Sequence, residues 1–162
     1  MYRSLPSSFF QWCVATPIGK YVAASVWSFP ILETVHIMGL TLLLGSAFAL
    51  NLTVLGVGIK VSGDILARQL FPWALGGLLI SVSTGVPMFM SAATSYGING
   101  PFAIKMLLLV SAIGVQMAIH YIPGTYSGSI TGRVAAGVSL LCWFGIAYAG
   151  RAIAFTNLLG VR

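Results

Sequence analysis

Acidic side chains are nearly missing from this chain. Glu33 and Asp64 are the only two in 162 residues, and charged residues of both signs make up just 6%. A water-soluble domain carries about a quarter charged residues, so ten charges cannot solvate a globule of this length. Histidine is equally scarce, with only His36 and His120. The two cysteines, Cys13 and Cys142, fall before the first long apolar run and mid-way along the last. At such different depths they are expected to pack as small apolar residues and not to pair. The formal net charge is +6, but its cations are scattered at segment ends with no basic cluster, which excludes a nucleic-acid partner. A Gly-rich phosphate loop, Cys–His zinc spacing and a nucleophile elbow are all absent. No residue is therefore assigned a catalytic role, and no enzymatic activity of the chain's own is expected.

What is abundant is apolar sequence, at 58% of the chain. A bilayer core of about 30 Å needs roughly 20 apolar residues in a helix. Four segments meet that length, at about 30–58, 72–93, 101–122 and 133–157. Ser28 is the expected cap of the first, and Pro30 and Pro72 suit the opening turns of the first and second. The intervening stretches KVSGDILARQLF, TSYGING and PGTYSGSITG carry Gly, Ser or charge where turns are needed. Residues 1–29 are too broken by Pro17 and Gly19 to span. Their Phe9, Phe10, Trp12, Tyr21 and Trp27 suit the lipid–water boundary. The N-terminus has no uninterrupted apolar core before its prolines and is not read as a cleaved signal. The expected fold is all-α: an integral membrane four-helix bundle over 30–162, preceded by one or two short interfacial helices over 1–29. Four spans put both termini on one side. Arg3, Lys20 and Arg162 there balance Lys60, Arg68 and Arg133 in the opposite loops, so charge does not choose the orientation.

Helical spacing of about 100° per residue gathers the polar side chains of each span on one face. These faces are Glu33, His36, Leu40, Leu44, Ala47 and Asn51 in the first span, and Gly77, Ser81, Thr84, Gly85 and Met88 in the second. The third carries Lys105, Leu109, Ala112, Gln116 and His120, and the fourth Arg133, Gly137, Leu140, Phe144, Ala147 and Arg151. Polar faces in lipid are expected to turn inward. By helical rise, Glu33, His36, Met88, Lys105 and Arg151 fall in one layer, roughly 5–10 Å below the terminal-side boundary. His120 lies about 20 Å further along the axis, so the two histidines are not expected to share one haem. His120 and Tyr121 are expected to form an interfacial pair.

The stretch W-S-F-P-x-x-E-x-x-H-x-x-G-L-x-L-L-x-G at 27–45, with NGPFAIKMLLL at 99–109 and AGRAIAF at 149–155, resembles a family of small bacterial inner-membrane proteins of unknown function. That resemblance implies four helices and carries over Glu33, His36, Phe102, Lys105, Gly150 and Arg151 as motif positions. It also implies an acid and an arginine near the end of the first span, where this chain reads NLTVLG with Asn51 and Thr53. More distantly the bundle is similar to b-type cytochrome and copper-resistance membrane bundles, an analogy of fold only.

Three readings of the layer follow. In the first, it binds b-type haem for electron transfer. His36 and Met88 would ligate the metal, Lys105 and Arg151 would pair with the propionates, and Glu33 would hydrogen-bond nearby. In the second, the cluster fixes helix register in an accessory subunit of a larger membrane complex or a homo-oligomer. In the third, it passes a proton or small anion, with Pro87 opening helix 2. A copper site at His36, Met38, Met88, Met90 and Met106 is weaker, because Met38 and Met90 lie on other faces.

Overall fold

The computed structural model describes residues 7–57, 61–97, 100–122, 124–127 and 129–159. In chain order its elements are α1 (Ser7–Ala15), α2 (Pro17–Ala24), α3 (Ser28–Val54), α4 (Gly63–Ser91), α5 (Ala93–Tyr96), α6 (Gly100–Tyr121), a 3₁₀ turn (Thr125–Ser127) and α7 (Ile130–Leu159). Among the described residues there is no strand. Helices α3, α4 and α6, and α7 over Ile130–Ile153, are each long and apolar enough to cross a bilayer. The chain is an all-α membrane four-helix bundle preceded by short helices. Arg3, Lys60 and Arg162, three of the charges bearing on orientation, lie outside the described residues.

Lipid offers no hydrophobic force to press helices together, so spans associate where small residues let backbones approach. The α3–α4 pair shows this most strongly. A Cβ added to Gly77 would lie 2.6 Å from both the Gly39 carbonyl oxygen and the Leu43 nitrogen. One added to Gly39 would lie 2.8 Å from Ser81 Oγ. Helices α6 and α7 form a second closely packed pair, and the two pairs meet chiefly along α3 and α7. Between them Leu43, Ala47, Ala112, Trp143 and Ile146 form a buried apolar cluster. The α4 and α6 backbones stay apart, but side chains bridge them, Phe71 stacking on His120 and Phe89 on Phe102. At the terminal end, α1 packs over α5 through Phe10, Cys13 and Ala93. Helix α2 is capped by Thr16, whose hydroxyl accepts from the Gly19 N–H, and Gly19 sits against the Met90 carbonyl of α4. Both thiols are free.

Three expectations need correction. Pro72 does not open the second span; it lies inside α4, which begins at Gly63. The segment DILARQLF keeps a helical stripe, with Ala67, Leu70 and Phe71 leading into Ala74 and Leu78. Pro72 falls on its exposed side, where a missing N–H is tolerated. Ser28 is the first residue of α3 and not its cap; its N–H instead donates to Ser25 Oγ at 3.2 Å. The inward face of α7 is turned by about one residue's rotation, roughly 100°. Its buried residues are Ala136, Ser139, Trp143, Ile146, Ala149 and Ile153, while Arg133, Phe144, Ala147 and Arg151 are exposed. Long cationic side chains near helix ends reach the interface from outward positions, so apolar and small residues, Trp143 and Ile146 among them, set the packed face of α7 and charge does not.

The α3–α4 contact predicts a paired result. Gly77→Val should lower thermal stability by about 1–3 kcal/mol through overpacking against backbone. Gly76→Val should change little, because nothing lies within 4 Å of a Cβ there. Thermal melts of the two variants in one detergent check the difference.

Candidate functional site

His36 anchors the terminal-side layer. Its ring lies over Gly85 of α4, where an added Cβ would sit 3.1 Å from Cε1. A larger residue at 85 would displace the imidazole. His36 Nδ1 is 3.0 Å from Thr84 Oγ1, and Thr84 Oγ1 donates to the Ile80 carbonyl at 2.7 Å. A hydroxyl has one proton. With that proton on Ile80, Thr84 faces His36 as an acceptor, so Nδ1 carries the ring proton. In the neutral imidazole Nε2 is then the basic nitrogen.

The remaining residues of the layer surround this pair unevenly. Glu33, one turn before His36, is exposed, and its charge acts on both His36 and the Tyr96 phenol. Lys105 Nζ lies 3.8 Å from the position of a Cβ on Gly150, so the ammonium runs along α7 beside the Gly150–Arg151 step. Arg151 itself is exposed. Met88 is half-buried, four residues beyond Thr84 on α4. Phe89, Tyr96 and Phe102 stack in a triangle, with centroids 5.1 to 6.0 Å apart. Phe102 opens α6 one turn before Lys105. Tyr96 holds its proton more tightly than usual, first through burial and then through the Glu33 charge. Met38 and Met106 are exposed, and Met90 packs in the N-terminal cluster with Phe10 and Cys13. The five copper candidates are therefore not brought together. Among the described residues, no three His, Cys, Asp or Glu side chains cluster as metal ligands.

A second polar layer lies in the opposite half of the bundle. Asn51 Nδ2 donates to Ser139 Oγ at 2.9 Å and to Gln116 Oε1 at 3.4 Å, and Ser139 Oγ donates to Gln116 Oε1 at 3.0 Å. This triangle ties α3, α6 and α7. Asn51 and Ser139 are fully buried. Asn51 Oδ1 and Trp143 Nε1 remain buried without a hydrogen-bond partner. Sequence reading placed Gln116 and Asn51 on inward faces but missed Ser139. One signal marked it: Ser139 lies three residues after Ala136 in a run of small residues. His120 does touch Tyr121 edge-on, with centroids 5.0 Å apart. It also stacks on Phe71 at 4.6 Å and bonds Tyr126 through Nδ1 at 3.1 Å. The two histidines thus sit in separate layers with the apolar cluster between them.

The fold and sites define a class: a small membrane protein of four spans, with an oriented histidine near one face and an amide–hydroxyl triangle in the other half. The sequence pattern of a family of unknown function, DUF6644, matches residues 9–156, and the chain belongs to that family. Comparison with curated proteins and with solved structures finds no match.

Tyr126, in the 3₁₀ turn outside the spans, has its ionisation pushed up to about 12, first by burial and then by the Asp64 charge. The unfolded chain, with an ordinary phenol near 10, loses this proton first. Stability present below pH 10 should therefore fall as pH rises toward 12. Titration of the phenolate absorbance should show a step near pH 12 that Tyr126→Phe removes. A wild-type step near pH 10 removed by that substitution would contradict this.

Proposed function

We propose that the chain is a small haem-binding membrane protein, with His36 as axial ligand and Lys105 and Arg151 as partners for the propionates. One observation carries the reading. Thr84 Oγ1 lies 3.0 Å from His36 Nδ1 with its own proton directed to Ile80; accepting from Nδ1–H, it would leave Nε2 as the nitrogen available to a metal, and such a hydrogen bond is what usually orients a ligating histidine. Support comes from the chemistry of the donors: an imidazole hydrogen-bonded at Nδ1, a half-buried thioether on the adjacent helix, and Lys105 with the exposed Arg151 near the end of the bundle. A bound b-type haem would supply one-electron transfer. His36 would hold the metal, Met88 would offer a second ligand, and Lys105 beside Gly150 would neutralise carboxylate charge with Arg151. Glu33, at the rim, would bias the charge around the imidazole. Placement in a bacterial inner membrane is part of the same proposal and rests on the sequence resemblance.

A second reading, an accessory subunit of a larger complex or homo-oligomer, is favoured by one feature. Helix α6 buries only Ala112 and Ile119 within this chain, which leaves most of its surface to lipid or to another protein. A transport role is less favoured. The apolar cluster of Leu43, Ala47, Ala112, Trp143 and Ile146 separates the two polar layers, and a proton path needs continuity between them.

The test is an absorption spectrum of protein expressed with added haem precursor, oxidised and reduced. A Soret band is expected, reduced at least tenfold in His36→Ala and weakened in Lys105→Ala. A colourless wild-type protein overturns the haem reading and leaves the accessory role.

A further inference from the structure

Helices α4 and α6 stand apart along the opposite half of the bundle, and a cavity of about 80 Å³ opens between them. Its walls are chiefly Leu70, Phe71, Ala74 and Leu78 of α4 and Ile113 and Met117 of α6, with α3 behind. Along α4 this wall runs from Ala67 to Leu78, roughly 16 Å at the helical rise. Helix α4 carries its lining residues at i, i+3, i+4 and i+7, which makes a strip the width of a single chain. Both α4 and α6 are membrane spans whose backbones stay apart, so the cavity between them opens toward hydrocarbon, with the Phe71–His120 stack bridging the two helices at its polar end. Water gains little in a cavity lined by Leu, Ile, Phe and Met, and a void left empty forfeits the contacts of its lining atoms.

The cavity also has a polar end. Gln116 and His120 line it on the side away from the terminal-side layer, and His120 is tied there to Tyr126. Ala67 is the first α4 residue of the wall, and Arg68 follows it. By helical angle Arg68 lies about 20° beyond Leu75, at the rim of the wall, and it is exposed. Arg133, at the start of α7, is exposed at the same end. Asp64, one turn before Arg68, is exposed there too, so apolar depth leads to a charged rim of two arginines and one carboxylate at the level where lipid headgroups begin.

We infer that the α4–α6 cavity holds one acyl chain of an anionic phospholipid, whose phosphate is met by Arg68 at the rim. The occupant is a lipid and not a helix, because the strip is one chain wide and ends at a cation. This inference is independent of the haem reading: it uses the other half of the bundle and none of the proposed ligands.

Native mass spectrometry of the detergent-purified protein, offered equimolar phosphatidylglycerol and phosphatidylcholine in mixed micelles, tests it. One retained phospholipid per chain is expected, with phosphatidylglycerol preferred. Ala74→Leu should fill the cavity and abolish retention while the melting temperature holds or rises. Arg68→Gln should keep the site but lower the preference for phosphatidylglycerol about fivefold, the weight of one basic residue at a membrane surface. Retention unchanged in Ala74→Leu overturns the site. An unchanged preference in Arg68→Gln overturns the phosphate contact. A protein dimer without lipid, dissociated by Ala74→Leu, would mean that a second copy fills the cavity and would also overturn it.

Discussion

The close approach of α3 and α4 at Gly39 and Gly77 is the constraint on which the terminal-side site depends. A Cβ on Gly77 would lie 2.6 Å from the α3 backbone, and one on Gly39 would press on the Ile80 and Ser81 side chains at 2.8 Å. In lipid such contact replaces the hydrophobic drive that holds a soluble core together. It also sets the rotation of one helix against the other. One turn before Gly39, His36 is brought over Gly85, and its Nδ1 meets Thr84. The histidine is oriented by backbone proximity first and by a hydrogen bond second.

The other half of the bundle is held differently. There the Asn51–Ser139–Gln116 triangle joins three helices that do not approach as closely. A neutral amide–hydroxyl network gives register without the desolvation cost of buried charge. It reaches α3, α6 and α7 but not α4, and it is on the α4 side that the bundle stands open. Two pairs of helices joined along one seam leave a lateral gap that a tightly closed four-helix bundle would not have. The apolar cluster around Trp143 keeps the two polar layers apart.

Much of the fold was legible because membrane spans are declared by length and apolarity, which need no knowledge of partners. The break between the short helices before α3 was legible from Pro17, which opens α2, whereas Gly19 lies inside α2 and breaks nothing. The start of α4 was not, since Pro72 resembles a helix opening unless the stripe before it is followed back to Gly63. The polar faces of α4 and α6 were read correctly, with Ser81, Thr84 and Ala112 buried. The face of α7 is not legible from its arginines, because a long cation near a helix end can reach the interface from an outward position. His36 stood out from sequence, but its partner Thr84 did not, because threonines in spans commonly bond their own helix. Thr84 does that too, and that bond is what makes its oxygen an acceptor for the ring.

The central claim is that His36 presents Nε2 because Nδ1 is committed to Thr84. Nitrogen-15 NMR of protein labelled at histidine, in lipid bilayers and without added haem, reads this directly. A His36 signal with the proton on Nδ1, shifting to the other tautomer or to a mixture in Thr84→Val, is the result expected. A wild-type His36 protonated at Nε2 alone would contradict the account at its root.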